Sequence, residues 1–217
     1  GAWFHDAFGS NSGAAYVFSR TPEGNWSDPI KLVPPDPGAE DVFGRTVALG
    51  DGFCAVGAPL DDDQGSSSGS IHIFDQQPDG SWTHAAKLVS PHVSEGHQLG
   101  LGLAADGDRI VGGSPWAFEG RGLIRLWERF GSTWTTNWFM TMESFGNPDD
   151  YFGFSVSLAG SRMAAGCYRD DTDGTDAGSV WVMEEVFDGW SFERLSPILP
   201  EAGAQFGVAV SLSNEHL

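Results

Sequence analysis

A chain of 217 residues is long enough to bury a large core, but its formal net charge of −19 restricts its partners. With 11 Lys and Arg against 30 Asp and Glu, it would be repelled by a nucleic-acid backbone and by anionic membrane surfaces. No apolar run reaches the ~18 residues that a membrane span requires. The 30 Gly, 9 Trp and 15 Phe are typical of many short strands and tight turns, which predicts an all-β fold.

The first predicted elements are two short strands. A Gly-led alternating segment lies at 13–18, and Trp26 precedes Lys31-Leu32. The next stretch, 42–74, begins with an alternating segment, a Gly-Asp-Gly turn and an apolar run that ends at Gly57-Ala58-Pro59. A polar loop and a second alternating segment complete it. Short β-rich runs with Gly-containing turns predict antiparallel hairpins.

The landmarks of this stretch recur along the chain. The Phe-Gly pair returns at spacings of 56, 53 and 54 residues, as Phe43-Gly44, Leu99-Gly100, Phe152-Gly153 and Phe206-Gly207. The Gly-Ala-Pro position is occupied by Gly57-Ala58-Pro59, Gly113-Ser114-Pro115 and Gly166-Cys167-Tyr168. A Gly-led strand follows, and then a Trp: Trp26, Trp82, Trp134 or Trp190. Four strands per repeat are the signature of a propeller blade. A single repeat cannot bury its own apolar face, so the repeats must pack on one another.

We name the strand positions of a repeat A, after Phe-Gly; B, before Gly-Ala-Pro; C, after the loop Gly; and D, from Trp to the Lys-Leu pair. The chain is expected to form a single array. Its predicted parts are a partial blade at 1–33, full blades at 43–89, 99–141 and 152–196, and a terminal strand at 206–212. The copy at 99–141 is degraded, with Leu99 in place of Phe and Phe139-Met140 in place of Lys-Leu.

These residues resemble the FG-GAP repeat family, whose repeats build the β-propeller of integrin α chains. The likeness is closer to the variant in bacterial and algal extracellular proteins, where each repeat carries a strand of the GSAYVF type, a Trp and a Lys-Leu pair. The resemblance covers essentially the whole chain. It implies an extracellular or cell-surface, integrin-like β-propeller that serves cell adhesion or acts as a structural protein, without catalysis.

The number of repeats is compatible with two kinds of ring. Integrin-type rings have more blades than the repeats of this chain supply, and the chain begins and ends inside blades, so we expect a partial ring cut from a longer propeller. The alternative is a compact four-blade ring that lacks one strand. In the partial ring, another chain or a continuation of this one would have to pair with the edge of strand 206–212.

Alternating strand directions sort the loops onto two faces. The B–C and D–A loops share one face, which we call the loop face, and they hold 17 of the 30 acidic residues. Binding residues tend to lie on loops held by a rigid scaffold, and in integrins the equivalent face binds ligand. We therefore expect a protein partner or self-assembly, either through the acidic loop face or through blade edges.

The loop 169–177 is the most metal-like stretch of the sequence. Its four candidate ligands resemble the start of a calcium loop built from oxygen donors, and they are Asp170, Asp171, Asp173 and Asp176. The calcium site of integrin propellers is not carried over, because the A–B turns here are too short to wrap an ion. Two interpretations of the loop stay open: it binds Ca²⁺, or it is a solvated acidic turn.

The predicted ligand contacts are Trp3, Trp116 and Tyr168, which lie at or beside the Pro position of the Gly-Ala-Pro motif, on the loop face. They suggest a second function, a lectin-like module that binds glycans between acidic loops. The recurring Trp of strand D is predicted to pack between blades instead.

A third possible function is that of a hydrolase with paired carboxylates such as Asp149-Asp150.

The predicted core follows from the alternating positions. The residues expected to be buried between blades are Val47, Leu49, Val56, Ile71, Ile73, Leu103, Ile110, Val156, Leu158, Val180 and Val182. Cys54 and Cys167 occupy different repeat positions in separate blades, so their Cα atoms are not expected within the ~7 Å that a disulfide requires. We expect two buried free thiols.

Overall fold

The computed structural model describes residues 1–92, 94–144 and 146–213. The strands in chain order are β1 (Ala15–Val17), β2 (Ile30–Leu32), β3 (Thr46–Gly50), β4 (Phe53–Ala58), β5 (Ser70–Gln76), β6 (Trp82–Leu88), β7 (Gly102–Asp106), β8 (Arg109–Ser114), β9 (Leu123–Phe130), β10 (Thr133–Thr141), β11 (Val156–Ala159), β12 (Arg162–Cys167), β13 (Ser179–Val186) and β14 (Gly189–Leu195). Within the described ranges the helix content is one turn, α1 (Ala117–Gly120). The predicted all-β class is confirmed.

The strands form four antiparallel sheets. β1 pairs with β2, and the other three sheets have the orders β3-β4-β5-β6, β7-β8-β9-β10 and β11-β12-β13-β14. Within each sheet the strands pair in sequence order, and short turns such as Asp51-Gly52 join strand A to strand B. Among the described residues no strand of the last sheet pairs with β1 or β2, so the sheets form an open array.

Consecutive sheets meet where glycines bring their backbones together. Gly57, near the end of β4, lies so close to the carbonyl of Gly100 that an added Cβ would overlap the oxygen. The same approach recurs between Gly113 and Gly153 and between Gly166 and Gly207. Backbone atoms cannot move aside as the end of a flexible side chain can. The Gly-Ala-Pro position therefore requires glycine if the next repeat is to pack at this distance.

The loops of neighbouring repeats are joined by backbone hydrogen bonds. The residue before each Phe-Gly pair donates its N–H to a carbonyl in the B–C loop of the preceding repeat, over 2.8 to 3.1 Å. The donors and acceptors are Val42 with Asn11, Gln98 with Ser67, Tyr151 with Gly120, and Gln205 with Asp176. All four donors have positive φ, between 51° and 58°, which non-glycine residues rarely adopt. The B–C and D–A loops are thus held as one ordered face.

In the described part of the chain the hydrophobic core consists of three clusters, each lying between two consecutive sheets. In the central cluster, Phe53 and Ile73 of the β3–β6 sheet pack against Ile110 and Trp127 of the next sheet. The other two clusters occupy the equivalent positions before and after it. Each sheet is therefore covered by its neighbour, and no sheet is buried by its own residues alone.

The recurring Trp residues of strand D mostly pack beside these clusters, as predicted. Trp82, Trp134 and Trp190 each lie against a different cluster, and Trp134 meets Phe53 edge-on at 4.9 Å between ring centroids. Trp26, in the two-stranded sheet, is instead 63% exposed.

The predicted free thiols are present. Both cysteines, Cys54 and Cys167, are buried and unpaired. Burial raises the pKa of the Cys54 thiol to about 11 and raises that of Cys167 as well. Both groups therefore stay protonated and inert at neutral pH.

Part of the predicted core is wrong. The buried members are Val56, Ile71, Ile73, Ile110, Leu158 and Val180. Leu103, Val156 and Val182 are half-buried. Val47 and Leu49 are 48% and 67% exposed, because their side of β3 faces the short two-stranded sheet across an apolar groove of about 530 Å³. The equivalent Leu103 on β7 is covered by the central cluster.

Residues 206–212, predicted as a strand, do not form one. The segment makes a single bridge, between Phe206 and Gly178, and otherwise lies along β11. Ser155 donates its hydroxyl to the carbonyl of Gly207 at 2.7 Å, and the N–H of Leu212 donates to the hydroxyl of Ser157 at 2.9 Å. These contacts use serine side chains, and no described strand pairs with the segment in a backbone hydrogen-bonded ladder, so it remains outside the sheets.

The contrast between buried and exposed positions predicts the cost of truncation. Ile73→Ala should lower the free energy of unfolding by about 2–4 kcal/mol, since it empties space in the central cluster. Leu49→Ala should lower it by less than about 1 kcal/mol, because the side chain already faces solvent. Urea denaturation of both variants measures the difference. Equal losses would contradict the burial pattern.

The glycine junction predicts a second contrast. Gly113→Ala should lower the free energy of unfolding by about 1–3 kcal/mol or more, because its Cβ would overlap the backbone of Gly153. Gly131→Ala is the control: its φ is 63° and nothing lies within 4 Å of the added Cβ, so it should lose only about 1 kcal/mol. Thermal and urea unfolding compare the two. A smaller loss at position 113 would show that the junction tolerates a side chain.

Candidate functional site

Two of the three predicted ligand contacts belong to one aromatic cluster on the loop face. The ring of Trp116 is centred 5.3 Å from that of Tyr151, which stacks on Tyr168 at 5.6 Å. Phe154 completes the cluster, 4.6 Å from Tyr168. All four side chains are half-buried, so each still presents part of its ring to solvent. The predicted contacts did not include Tyr151 and Phe154, although both flank a Phe-Gly landmark.

Trp3 does not join this cluster. It contacts Phe4, with ring centroids 3.6 Å apart, and the guanidinium of Arg45 lies 5.1 Å from its ring. Trp3 occupies the equivalent place in the first repeat. The aromatic residues near the Pro position of the motif therefore do not all meet. Trp116 and Tyr168, from the two later repeats, belong to one cluster, and Trp3 lies apart from it.

A cation and a carboxylate fix the orientation of the cluster. Arg169 lies over Tyr151 at 5.5 Å and over Tyr168 at 6.0 Å, so its charge faces two aromatic rings. The hydroxyl of Tyr151 donates to Asp149 at 3.0 Å. Burial first, and then the hydrogen bond and charge of Asp149, raise the pKa of Tyr151. The tyrosine is therefore a neutral donor at physiological pH.

Beside the cluster lies an open cleft of about 560 Å³. We call it the acidic cleft, and its walls are Glu95, Gly96, His97, Trp116, Glu119, Gly120, Pro148 and Asp149. Trp116 thus belongs both to the aromatic cluster and to the cleft. The cleft spans the loops of two consecutive junctions, since Glu95 precedes one Phe-Gly position and Asp149 precedes the next.

The charges of the acidic cleft are mostly negative. Glu119 forms an ion pair with Arg121 at 2.7 Å, and Asp149 accepts from Tyr151. No described residue forms an ion pair with Glu95. Burial lowers the pKa of His97, whose ring is held by Ser94, so this side chain is neutral at pH 7 and offsets none of the charge.

The acidic cleft exists because one loop is short. The Gly of the Gly-Ala-Pro position and the Gly that opens strand C lie nine residues apart in the repeat 99–141, as Gly113 and Gly122. The same two glycines lie twelve residues apart in the repeats before and after it. The missing residues leave space between neighbouring loops, and the shortened loop turns at Phe118 and Glu119 with positive φ of 55° and 60°.

The carboxylates of the predicted metal loop form hydrogen bonds and ion pairs with other residues of the protein. Asp170 is buried and accepts hydrogen bonds from Ser179 at 2.6 Å and from Arg194 at 2.9 Å. Arg194 also binds Asp173 at 2.9 Å. Burial raises the pKa of Asp170, but the bonds from Ser179, Thr172 and Arg194 outweigh it and leave the pKa lowered.

The other two candidate ligands, Asp171 and Asp176, stabilise the turn itself. The N–H of Asp176 donates to the carboxylate of Asp171 at 2.7 Å, and Asp176 lies 3.5 Å from the guanidinium of Arg169. Across the part of the chain that the structure describes, no three Asp, Glu, His or Cys side chains form a metal-binding group. Ca²⁺ binding by this loop stays a prediction.

The buried Asp170 belongs to a network that recurs in another repeat. Asp61 accepts from the hydroxyl of Ser70 at 2.6 Å and lies 2.7 Å from the ammonium of Lys87. Burial raises the pKa of Asp61, but the contacts with His72, Lys87 and Ser70 hold it well below its usual range. The sequence carries a signal for this network that was not among the predictions: in both repeats, Asp precedes the first Ser of strand C by nine residues.

The repeat 99–141 lacks this network. Ala117 replaces the buried Asp, Leu123 replaces Ser and Phe139 replaces the basic residue. All three positions are apolar, which avoids the cost of a single buried charge without its partner. Here Arg125 is the buried cation, and it lies 4.9 Å from the ring of Phe139. Burial lowers the pKa of Arg125.

A second buried carboxylate precedes two of the Phe-Gly pairs. Asp41 accepts the N–H of Gly38, and Asp150 accepts the N–H of Asn147, each at 2.7 Å. Burial is the main cause that raises the pKa of both. The pKa of Asp150 rises to about 6, with the charges of Asp170 and Asp171 adding to the effect.

The raised pKa of Asp150 predicts a pH dependence. The folded state binds a proton that the unfolded state releases between about pH 4 and 6, so this group's contribution to stability falls as pH rises through that window. Asp150→Asn keeps an acceptor for the N–H of Asn147 and removes the charge. It should raise the free energy of unfolding by roughly 1–2 kcal/mol at pH 7.5 and by less at pH 4.5.

Urea denaturation at the two pH values measures this effect. Asp62→Asn, which removes an exposed carboxylate from a B–C loop, is the control and should change stability little at either pH. If Asp150→Asn changed stability equally at pH 4.5 and 7.5, the raised pKa would be wrong.

The fold and these loops define an all-β repeat protein whose sheets are joined through Phe-Gly and Gly-Ala-Pro landmarks. A family model described as FG-GAP repeat matches residues 26–74 and 144–183, so FG-GAP repeats are present in both of these parts of the chain. The predicted resemblance to the FG-GAP repeat family is confirmed. No curated protein matches the sequence. The matched segments leave out the whole of the repeat 99–141, which carries the short loop and Leu99.

Membrane-spanning helices are absent from the described ranges. Within residues 1–92, 94–144 and 146–213, no helix has the length and apolar character that crossing a bilayer demands.

Proposed function

We propose that the chain is a set of β-propeller blades that acts as a non-catalytic module in protein–protein adhesion or assembly, outside the cell or at its surface. The match of two segments to the FG-GAP repeat model and the packing of each four-stranded sheet on the next support the propeller. The proposed full blades are 43–89, 99–141 and 152–196. The segments 1–33 and 206–212 are proposed to belong to further blades.

The observation that carries this function is the ordered aromatic cluster on the loop face. FG-GAP repeats are generally extracellular adhesion or binding modules. Tyr and Trp are enriched at protein interfaces because they offer large, rigid contact areas with a polar edge. Trp116, Tyr151 and Tyr168 supply such an area, on loops that backbone hydrogen bonds already hold in place. Little conformational entropy would be lost when a partner binds.

The carboxylates considered for hydrolysis have structural contacts, which supports a role without catalysis. Asp149 accepts from the hydroxyl of Tyr151, and Asp150 accepts from the N–H of Asn147. Both groups thereby fix the loop that precedes Phe152-Gly153.

A lectin-like function is the second candidate. The observation that favours it is the position of Trp116 between the aromatic cluster and the carboxylates of the acidic cleft. Sugar rings stack on aromatic faces while their hydroxyls donate to carboxylates.

A paired assay separates the two candidates. Beads coated with the protein are tested for clustering and for capture of proteins from an extracellular-matrix extract, and the soluble protein is applied to a glycan array. Adhesion or assembly predicts clustering or capture and a silent array. A defined class of glycans bound on the array would favour the lectin instead.

Matched variants connect the assay to the loop face. Trp116→Ala with Tyr168→Ala should abolish most of the bead binding, since the pair removes the exposed aromatic area. Phe187→Ala is the control, because Phe187 is fully exposed in the C–D turn between β13 and β14, at the opposite end of its sheet. If both variants bound equally well, the loop face would not be the binding surface.

A further inference from the structure

The turn between β1 and β2 contains the one tripeptide of the sequence in which Asn is followed, after any residue except Pro, by Ser or Thr. It is Asn25-Trp26-Ser27. In secreted proteins this tripeptide is the acceptor of N-linked glycans. The pattern is short, so the surroundings of Asn25 have to show whether the folded chain can carry a bulky group there.

The side chain of Asn25 is exposed and makes no bond within the described ranges. The turn is held by its backbone: the N–H of Thr21 donates to the carbonyl of Asn25 at 2.8 Å, and that of Gly24 donates to the carbonyl of Thr21 at 2.9 Å. No described residue forms a hydrogen bond with the side-chain amide of Asn25. Nothing lies within 4 Å of a Cβ added to Gly24, so the space around the turn is open. A glycan on Asn25 would therefore displace no contact of the fold.

The equivalent turn of the next repeat shows how Asn25 differs. Ser81 occupies the position there, and its hydroxyl donates to Asp79 at 2.6 Å. The first repeat has Glu23 in place of Asp79, and the side chain of Asn25 is left unbonded. The fold imposes no particular side chain at this position, which is exposed in all four repeats and is occupied in the last two by Thr133 and Gly189.

The hydroxyl of Ser27, by contrast, has a structural role. It accepts the N–H of Ser19 at 3.0 Å and donates to the carbonyl of Asp28 at 2.9 Å. Every repeat has a hydroxyl residue directly after the Trp of strand D, and the other three are Thr83, Thr135 and Ser191. The hydroxyl of the tripeptide is thus a feature of the repeat, whereas Asn25 is particular to the first copy.

The turn lies at the end of its sheet opposite to the loop face. It joins strand C to strand D, and strand D is the edge strand of each four-stranded sheet. A glycan on Asn25 would therefore extend into solvent on the side away from Trp116 and Tyr168. The surface proposed for binding would stay open.

We propose that Asn25 is the acceptor of an N-linked glycan. In the transfer, the side-chain nitrogen Nδ2 of Asn25 forms a bond to C1 of the first sugar of a lipid-linked oligosaccharide. The bond between C1 and the lipid diphosphate breaks, the diphosphate leaves with the electron pair, and Nδ2 gives one proton to a base of the transferase. This inference rests on the proposed function, because the transfer takes place on chains that enter a secretory pathway.

Expression of the chain with a secretion signal in a eukaryotic cell line tests the proposal. Protein from the medium and from the cell lysate is treated with peptide N-glycosidase in heavy-oxygen water, which releases the glycan and converts its Asn into an Asp that carries the heavy oxygen. Tryptic peptides are then analysed by mass spectrometry. The label is expected at Asn25, in the peptide 21–31, and its absence there would overturn the proposal.

Four variants separate the tripeptide from its surroundings. Asn25→Gln should lose the mass of the glycan. Ser27→Thr, which keeps the hydroxyl, and Glu23→Gln, a change in the same turn outside the tripeptide, should retain it. Ser81→Asn places a second acceptor tripeptide on the equivalent exposed turn and should gain a second glycan. A glycan on the Ser81→Asn variant but none on the wild type would reject Asn25 while showing that the cells modify this fold.

The bead assay distinguishes this proposal from the proposed function. Beads coated with enzymatically deglycosylated protein should bind as well as untreated beads, since the glycan lies away from the loop face. If Asn25 carried no label and the beads still clustered, adhesion or assembly would stand and the modification would be rejected. A labelled Asn25 on a protein whose beads neither cluster nor capture a partner would support the modification and reject adhesion.

Discussion

The close approach of glycine backbones between repeats is the constraint on which the rest of this structure depends. Gly57 meets the carbonyl of Gly100, and the same contact recurs at Gly113 and Gly166. A side chain at these positions would push consecutive sheets apart and open the hydrophobic clusters between them. Because the contact lies at the end of strand B, it also brings each B–C loop beside the following D–A loop, where backbone hydrogen bonds join the two. One steric requirement therefore sets both the sheet spacing and the order of the loop face.

Buried ion networks near the same junctions also help to fix the register of the strands. Asp61 with Ser70 and Lys87, and Asp170 with Ser179 and Arg194, place complete hydrogen-bonded ion networks where strands C and D begin and end. Such networks contribute little net free energy, since desolvation offsets attraction, but they penalise any register that separates the partners. The repeat 99–141 lacks the carboxylate network, and there a buried Arg125 lies against the ring of Phe139.

The irregular repeat also contributes to the surface that we propose for binding. A periodic fold presents similar loops from every repeat, so a distinct site needs a departure from the period. The shortened loop at 116–121 provides it by opening the acidic cleft and placing Trp116 between that cleft and the aromatic cluster. The rigid loops around it keep the aromatic and acidic groups in fixed positions, which is what recognition of a partner by a small area requires.

The sequence by itself determined the repeat, the strand positions and the antiparallel sheets, because these depend on local alternation, on turn glycines and on the period of the landmarks. It also placed Trp116 and Tyr168 on one face. It could not determine which alternating residues are covered: Val47 and Leu49 have the same pattern as Leu103, yet coverage depends on the neighbouring sheet. Nor could it determine that 206–212 stays outside the sheets, or that Glu95 and Asp149, more than fifty residues apart, line one cleft. Those outcomes depend on contacts between repeats, and only the tertiary structure decides which surfaces meet.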